Sequence, residues 1–459
     1  MAGIGFELKR AVHEPTYLGA IRGYLFAAII SSGPWLLAVL GLGLLGLVST
    51  SFLPQEGRNL FAATVTHAFA LSLITTGLIQ LVVTRYLADK LFLNETKSIL
   101  PTFVAVLTVV LAVQAVFMHL LLLSTGLSLD YRLWAVALYL ALCGIWLAMV
   151  VLNAARDFLA IVAGFAVGYL VSFFSGWLLG LQFGVSGYLA GFASGQVLLL
   201  ALLIWRIFSE FPSPQWLDLE VFTYIKRYPS LVVIGVLYHL GFWIDKIVFW
   251  FSHEGLNVGS YLNVFPAYDT SFFLASLTVV PALAIFIVHI ETAFYEHYRR
   301  FYGAIANKGS WREILAAKEG MVGALPGMYG TLLKIQGAIA IIAIAGTPSI
   351  LSVLQMPPSY WYIFRIAVLA MAVQVFLLVT ILLLLYLDLR GSVLIITTIF
   401  LLCNALFTVL TIRGGYAFYG YGLFWSSIVS VTVAFILLDN RLRHLEFLTF
   451  FRQPLNPSR

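Results

Sequence analysis

The chain has 459 residues, 61% of them hydrophobic and 10% charged, with a formal net charge of +6 and a mean hydropathy of +0.99. That balance excludes a soluble globular fold and identifies a polytopic membrane protein. It also excludes a nucleic-acid partner, because the basic residues are not clustered on a soluble module.

Lys9, Arg10 and Arg22 precede the first apolar run, as in a signal peptide. The run continues past Val48, too long for a cleaved segment, and reads as a retained span. A helix needs roughly 20 apolar residues to cross a bilayer. Twelve such runs follow in chain order: 24–49, 60–84, 99–123, 133–152, 158–181, 184–205, 230–252, 267–290, 328–353, 361–386, 391–412 and 416–438.

Positively charged short loops stay in the cytoplasm. With the N-terminus inside, only Arg58, Arg132 and Arg413 fall outside, and only Lys246, Lys334 and Arg365 fall within spans; the rest of the 26 lysines and arginines are cytoplasmic. Both termini are therefore expected on the cytoplasmic side.

The segment SEFPSPQWLDLEVFTYIKRYPS, with three prolines, separates the sixth and seventh spans. The expected organisation is a cytoplasmic amphipathic N-terminus (1–23), an N-lobe of six spans (24–205), a linker (206–229), a C-lobe of six spans (230–438) and a basic cytoplasmic tail (439–459). Short matches support a repeat: Ile21-Arg22-Gly23-Tyr24 with Ile225-Lys226-Arg227-Tyr228, and the loops from Arg85 and Arg300 that end in Ile-Leu. The count and the repeat predict an all-α fold of twelve transmembrane helices in two six-helix lobes around a central cavity.

Within the C-lobe, residues 291–327 form a cytoplasmic amphipathic segment. Ser310 and Glu313 fit a capping box for a helix starting at Trp311. Phe294, Tyr298, Phe301 and Tyr302 make an aromatic stripe at helical spacing, read either as interfacial packing or, with Trp311, as a docking face for a cytoplasmic partner.

Several motifs carry no chemistry. Gly41, Gly43 and Gly46 spell GxGxxG inside a span, where a dinucleotide site lacks its strand and its soluble fold. Gly187, Gly191 and Gly195, and Gly164 with Gly168, are small faces for helix packing. Asn94-Glu95-Thr96 matches a glycosylation acceptor on the wrong side. Cys143 and Cys403 sit in apolar runs and read as buried hydrophobes. No catalytic constellation, metal site or cofactor site is expected, which disfavours an enzyme.

Ionisable groups at membrane depth are costly and mark interiors or wet cavities. Asp245, Lys246, Asp269, Glu291, Lys334 and Arg365 are candidates, accompanied by His67, Gln80, His239, Gln336 and Gln374. Lys334 and Arg365 lie close enough to span ends to snorkel. Asp245 lies roughly 22 Å into a core about 30 Å thick and is too short to snorkel. Adjacent helical residues point about 100° apart, so Lys246 is not its expected partner. Lys246 instead faces Phe242, Trp243, Phe249 and Trp250, a cation-π setting. Asp245 reads as a pathway residue or as half of a structural ion pair.

The opening MAGIGFELKR, the SSGPW of residues 31–35, the GFWIDKIVFWF of residues 241–251 and the block YDTSFFLASLTVVPALAIFIVHIETAFYEHYRRFY from Tyr268 resemble the PelG family of bacterial Pel exopolysaccharide systems. The resemblance implies a fold of the multidrug/oligosaccharidyl-lipid/polysaccharide flippase superfamily. It implies an inner-membrane location and export of an N-acetylgalactosamine-rich polymer. The implied partners are a cytoplasmic glycosyltransferase, a cyclic-di-GMP receptor and a tetratricopeptide-repeat membrane subunit.

The expected substrate pathway rests on Asp245, Asp269, Trp243 and Tyr238, with His239, His67, Gln80, Gln336, Gln374, Lys334 and Arg365. Aromatic faces suit sugar rings and the polar groups suit hydroxyls. The alternatives are a lipid-linked oligosaccharide flippase or a cation-coupled antiporter of the same fold, and a non-conducting scaffold for the synthase.

Overall fold

The computed structural model describes residues 17–259, 262–290, 294–354 and 356–451. The opening MAGIGFELKR block, Glu291 and the end of the tail, 452–459, lie outside the described residues. Among the described residues, eleven helical segments are long and apolar enough to cross a membrane. Their outer faces carry large apolar side chains at helical spacing, such as Leu40, Leu44 and Leu47, or Val113, Val116 and Leu120. In water such stripes would aggregate; in a bilayer they meet lipid.

The described residues form two compact units, one within 28–273 and the other comprising 17–27 with those within 274–451. The first contains most of α1 (Tyr17–Ser49), then α2 (Gln55–Phe92), α3 (Ile99–Leu123), α4 (Leu129–Ala155), α5 (Phe158–Glu210), α6 (Val221–Arg227) and α7 (Pro229–Trp250). Two short strands follow, β1 (Leu256–Gly259) and β2 (Leu262–Val264), before α8 (Pro266–Ser276).

The 53-residue α5 contains two of the expected spans. Gly184 interrupts it with φ 61° and ψ −141°, a region essentially reserved for glycine. The contacts on either side show the chain doubling back. Ser172 donates to the carbonyl of Phe192 at 2.9 Å, Gln196 donates to the Ser172 hydroxyl at 3.1 Å, and Ser175 donates to Gly191 O at 2.8 Å. A Cβ on Gly191 would lie 2.3 Å from the backbone nitrogen of Gly176. The glycine faces therefore pack within one antiparallel hairpin, and α5 supplies two crossings.

Packing divides the chain between Phe273 and Leu274, and not at the linker 206–229 where composition places the lobe boundary. The reason is a glycine crossing. A Cβ on Gly235 of α7 would lie 2.0 Å from the carbonyl oxygen of Gly77 of α2, so these two backbones touch and α7 groups with the earlier helices. The strands also contribute. β1 and β2 pair antiparallel, Leu256 opposite Val264 and Asn257 opposite Asn263, and Leu262 and Val264 bury against Ala63 at the start of α2. This hairpin falls where the sequence suggests only a loop.

The second unit continues from α8 through a 3₁₀ turn into α9 (Val280–His289), then α10 (Tyr295–Ala306), α11 (Trp311–Ala345), α12 (Thr347–Val353), α13 (Ser359–Tyr386), α14 (Arg390–Gly414), α15 (Tyr421–Arg443) and α16 (Leu445–Phe451). The capping box forms: the Ser310 side chain accepts from Glu313 N, and Glu313 accepts from Ser310 N. α11 runs through Pro326 into the ninth span, so half of the amphipathic segment and that span are one helix. α16 is clasped to α11 through Lys318, which donates to Glu446 and, at 2.8 Å, to the carbonyl of Arg443.

Candidate functional site

α7 starts with Pro229 in its first turn, where the missing N–H costs nothing. Fifteen or so residues further on its buried face carries Asp245, which is 0% exposed. Lys246 Nζ lies 3.1 Å and 3.0 Å from the two Asp245 oxygens and donates to Phe242 O at 3.3 Å. Tyr268 of α8 donates its hydroxyl to Asp245 Oδ2 at 2.8 Å. The ammonium sits 5.0 to 6.0 Å from the ring centres of Phe242, Trp243, Tyr268 and Phe272.

The pairing corrects the expectation that helical phase separates the two charges. The stem of Lys246 is long enough to fold back over one residue, and a carboxylate left alone at this burial would be costlier than a bent stem. The cation-π expectation holds for Phe242 and Trp243. Phe249 packs instead against Tyr268 in a tilted pair, ring centres 4.2 Å apart, and Trp250 is committed to the second carboxylate.

That carboxylate is Asp269, half-buried in the first turn of α8. It accepts from Trp250 Nε1 at 2.9 and 3.1 Å and from Phe265 N at 3.0 Å, which helps start the helix. Trp250 in turn stacks on His67 of α2 at 4.3 Å. His67 Nδ1 lies 2.8 Å from Ala63 O; a carbonyl only accepts, so Nδ1 carries the proton and Nε2 presents a lone pair. His67 Nε2 and Trp243 Nε1 are both buried without a hydrogen-bond partner among the described residues.

Tyr238 and His239 are half-buried on the same helix, ring centres 5.5 Å apart, and Gln80 donates to Thr76 Oγ1 at 2.8 Å. The structure thus gathers Asp245, Asp269, Trp243 and His67 into one cluster in the first unit. Sequence reasoning missed Tyr268 and Trp250, although each lies within five residues of a flagged acid.

The remaining candidates belong to the second unit. Gln336 is 1% exposed, and both its amide atoms lack partners among the described residues. Gln374 accepts from Ser427 at 2.6 Å. Lys334 is exposed, as snorkelling requires. Arg365 is half-buried, its Nε buried without a partner among the described residues. Phe294 and Phe301 are buried, and Phe294 and Tyr298 pack edge-on against Tyr386 of α13. Tyr302 packs on Tyr298, ring centres 4.6 Å apart. Packing within the unit consumes this stripe, which corrects the docking reading for Phe294 and Phe301; Trp311 of that set is 53% exposed.

The sequence matches the PelG exopolysaccharide exporter family (EPS-E) over residues 1–450. The chain belongs to that family. No curated protein sequence matches it. Solved structures agree on the fold. A MOP superfamily transporter from Pyrococcus furiosus superposes with a TM-score of 0.66 at 14% identity, covering 92% of this chain and 96% of its own. An outward-facing multidrug resistance MATE family transporter of the MOP superfamily gives 0.61 at 14% identity over the same shares. A Vibrio cholerae MATE transporter gives 0.62 at 13% identity, covering 92% of this chain and 98% of its own. The protein is a multi-pass exopolysaccharide exporter with a MOP transporter fold.

Proposed function

We propose that this exporter carries Pel polysaccharide, rich in N-acetylgalactosamine, across the bacterial inner membrane, with both termini cytoplasmic. A cytoplasmic glycosyltransferase feeds it, and a cyclic-di-GMP receptor and a tetratricopeptide-repeat subunit complete the complex. The observation that carries the reading is the family match over residues 1–450, which covers the polar cluster. The cluster supplies what a sugar chain needs. Asp269, Trp243, Tyr238 and His239 are half-buried, offering an acceptor and aromatic faces, while Asp245, Lys246 and Tyr268 form a closed support behind them.

The rivals have less support. A lipid-linked oligosaccharide flippase needs several cations for pyrophosphate, and its two candidates are exposed Lys334 and half-buried Arg365. A scaffold docking through the aromatic stripe would need Phe294 and Phe301 accessible, and both are buried. The test is a photo-crosslinking residue at position 243, with position 120 on an exposed face as the control. Position 243 should capture radiolabelled polymer during secretion and position 120 should not. Normal secretion with no crosslink at 243 would overturn the pathway.

A further inference from the structure

Three polar side chains deep in the second unit carry unspent hydrogen-bonding groups. Gln336 of α11, Gln374 of α13 and Ser430 of α15 are each at most 5% exposed. Gln336 Nε2 and Oε1, Gln374 Nε2 and Ser430 Oγ have no hydrogen-bond partner among the described residues. The usual local escape is open to a helical serine but not taken. Ser426, one turn back along α15, bonds the carbonyl of Leu423 at 2.9 Å, whereas Ser430 Oγ makes no such bond.

The helices bring these groups to one level. Tyr329 of α11 shares a hydrogen bond with Thr380 of α13 at 2.9 Å, and its ring lies 6.4 Å from Phe376 of α13 and 5.2 Å from Phe435 of α15. Tyr329 therefore faces the seam between α13 and α15. Gln336 lies two turns further along α11, where a helix returns to nearly the same face. Consecutive spans run in opposite directions, so an advance along α11 goes back along α13. About 10 Å from Tyr329 reaches Gln336, and about 9 Å from Thr380 reaches Gln374. Ser427 sets the height of α15, donating to Gln374 Oε1 at 2.6 Å, and Ser430 follows one turn on.

We infer that this layer is a binding site for internal water that bridges α11 to α13 and α15. The chemistry selects the occupant. The unspent groups are two amide nitrogens, one amide oxygen and one hydroxyl, so the occupant must accept as well as donate. A cation satisfies neither nitrogen, and residues 320–387 and 391–438 contain no Asp or Glu to hold one. An anion leaves Gln336 Oε1 unmet and brings a buried charge. The burial of all three side chains keeps a sugar chain away from them. Water does both jobs at the size of one hydroxyl. Each polar residue also has a buried alanine four positions away, Ala340, Ala370 and Ala434, so short side chains flank the layer.

The test uses the full chain in nanodiscs. X-ray radiolysis makes hydroxyl radicals from water in place, so a buried methionine oxidises fast only where water lies beside it. Met371, one turn from Gln374, and Met328, two turns back from Gln336 along α11, are both buried. Met371 should oxidise several-fold faster than Met328, and Gln336→Leu should remove the difference. Gln336→Leu and Gln374→Leu should each lower the unfolding midpoint. The double variant should lose about tenfold less in its unfolding equilibrium than the two single losses together. Equal oxidation of the two methionines in wild type would overturn the site, since any coupling would then come from a direct amide bond. So would a Met371 rate unchanged by Gln336→Leu, additive losses in the double variant, or a higher midpoint in Gln336→Leu, the result for dry, unpaired amides.

Discussion

Lys246 Nζ bonds both oxygens of its neighbour Asp245, at 3.1 and 3.0 Å, although adjacent side chains leave a helix about 100° apart. The pair lies inside a ring of four aromatic side chains. Either charge alone would be stranded there. We predict that Asp245→Asn or Lys246→Met alone lowers stability by about 3–5 kcal/mol, and that the double variant regains most of the loss. A double-mutant cycle on thermal unfolding in micelles measures the coupling; additive losses would mean that the pair is not what holds these charges.

The hairpin in α5 makes a contrast between glycines. Gly184→Ala forces an alanine into φ 61° and ψ −141°, at a cost of about 1–3 kcal/mol. Gly191→Ala drives a Cβ to 2.3 Å from Gly176 N, whereas a Cβ on Gly43 meets nothing within 4 Å. Folded yield by size-exclusion chromatography should fall for Gly184→Ala and Gly191→Ala and stay normal for Gly43→Ala. Normal yield for Gly191→Ala would refute the close crossing.

Glu446 gives a pH dependence. Burial alone would raise its pKa, but the hydrogen bond and charge of Lys318 outweigh burial and hold it below the usual carboxylate value. A depressed folded-state pKa means that the contribution is present above the unfolded value of about 4.3 and is lost as pH falls through the lower folded value. Hydrogen exchange of α16 should therefore accelerate as pH drops below about 4, after correction for the intrinsic rate. Glu446→Gln should show fast exchange already at neutral pH. Unchanged protection in that variant would mean that Lys318 does not hold the helix.

The membrane fold was legible because lipid demands long apolar helices, and the runs 158–181 and 184–205 even anticipated the turn at Gly184 that helix geometry alone conceals. Periodicity also found the capping box at Ser310 and the glycine faces of α5. It failed where a partner came from elsewhere. Phase arguments treat a side chain as a fixed vector, which suits Asp245 and misplaces Lys246. The strands were missed because only burial of Leu262 and Val264 against Ala63 makes so short a hairpin stable. The aromatic stripe gave no sign that Tyr386, far along the chain, would cover it.

Asp269 is half-buried, with only neutral donors among its described hydrogen bonds, Trp250 and Phe265 N. We predict that Asp269→Asn keeps the helix start, with a stability loss of about 1 kcal/mol, and cuts polymer secretion several-fold at normal protein level. Wild-type secretion by the variant would remove Asp269 from the pathway.

The proposal that this chain moves the polymer across the membrane is tested most directly in proteoliposomes holding the exporter and the proposed partner glycosyltransferase, fed external radiolabelled UDP-N-acetylgalactosamine. The account predicts glycosidase-resistant polymer in the lumen only when the exporter is present, and less with Asp269→Asn. Equal lumenal polymer from vesicles without the exporter would contradict it.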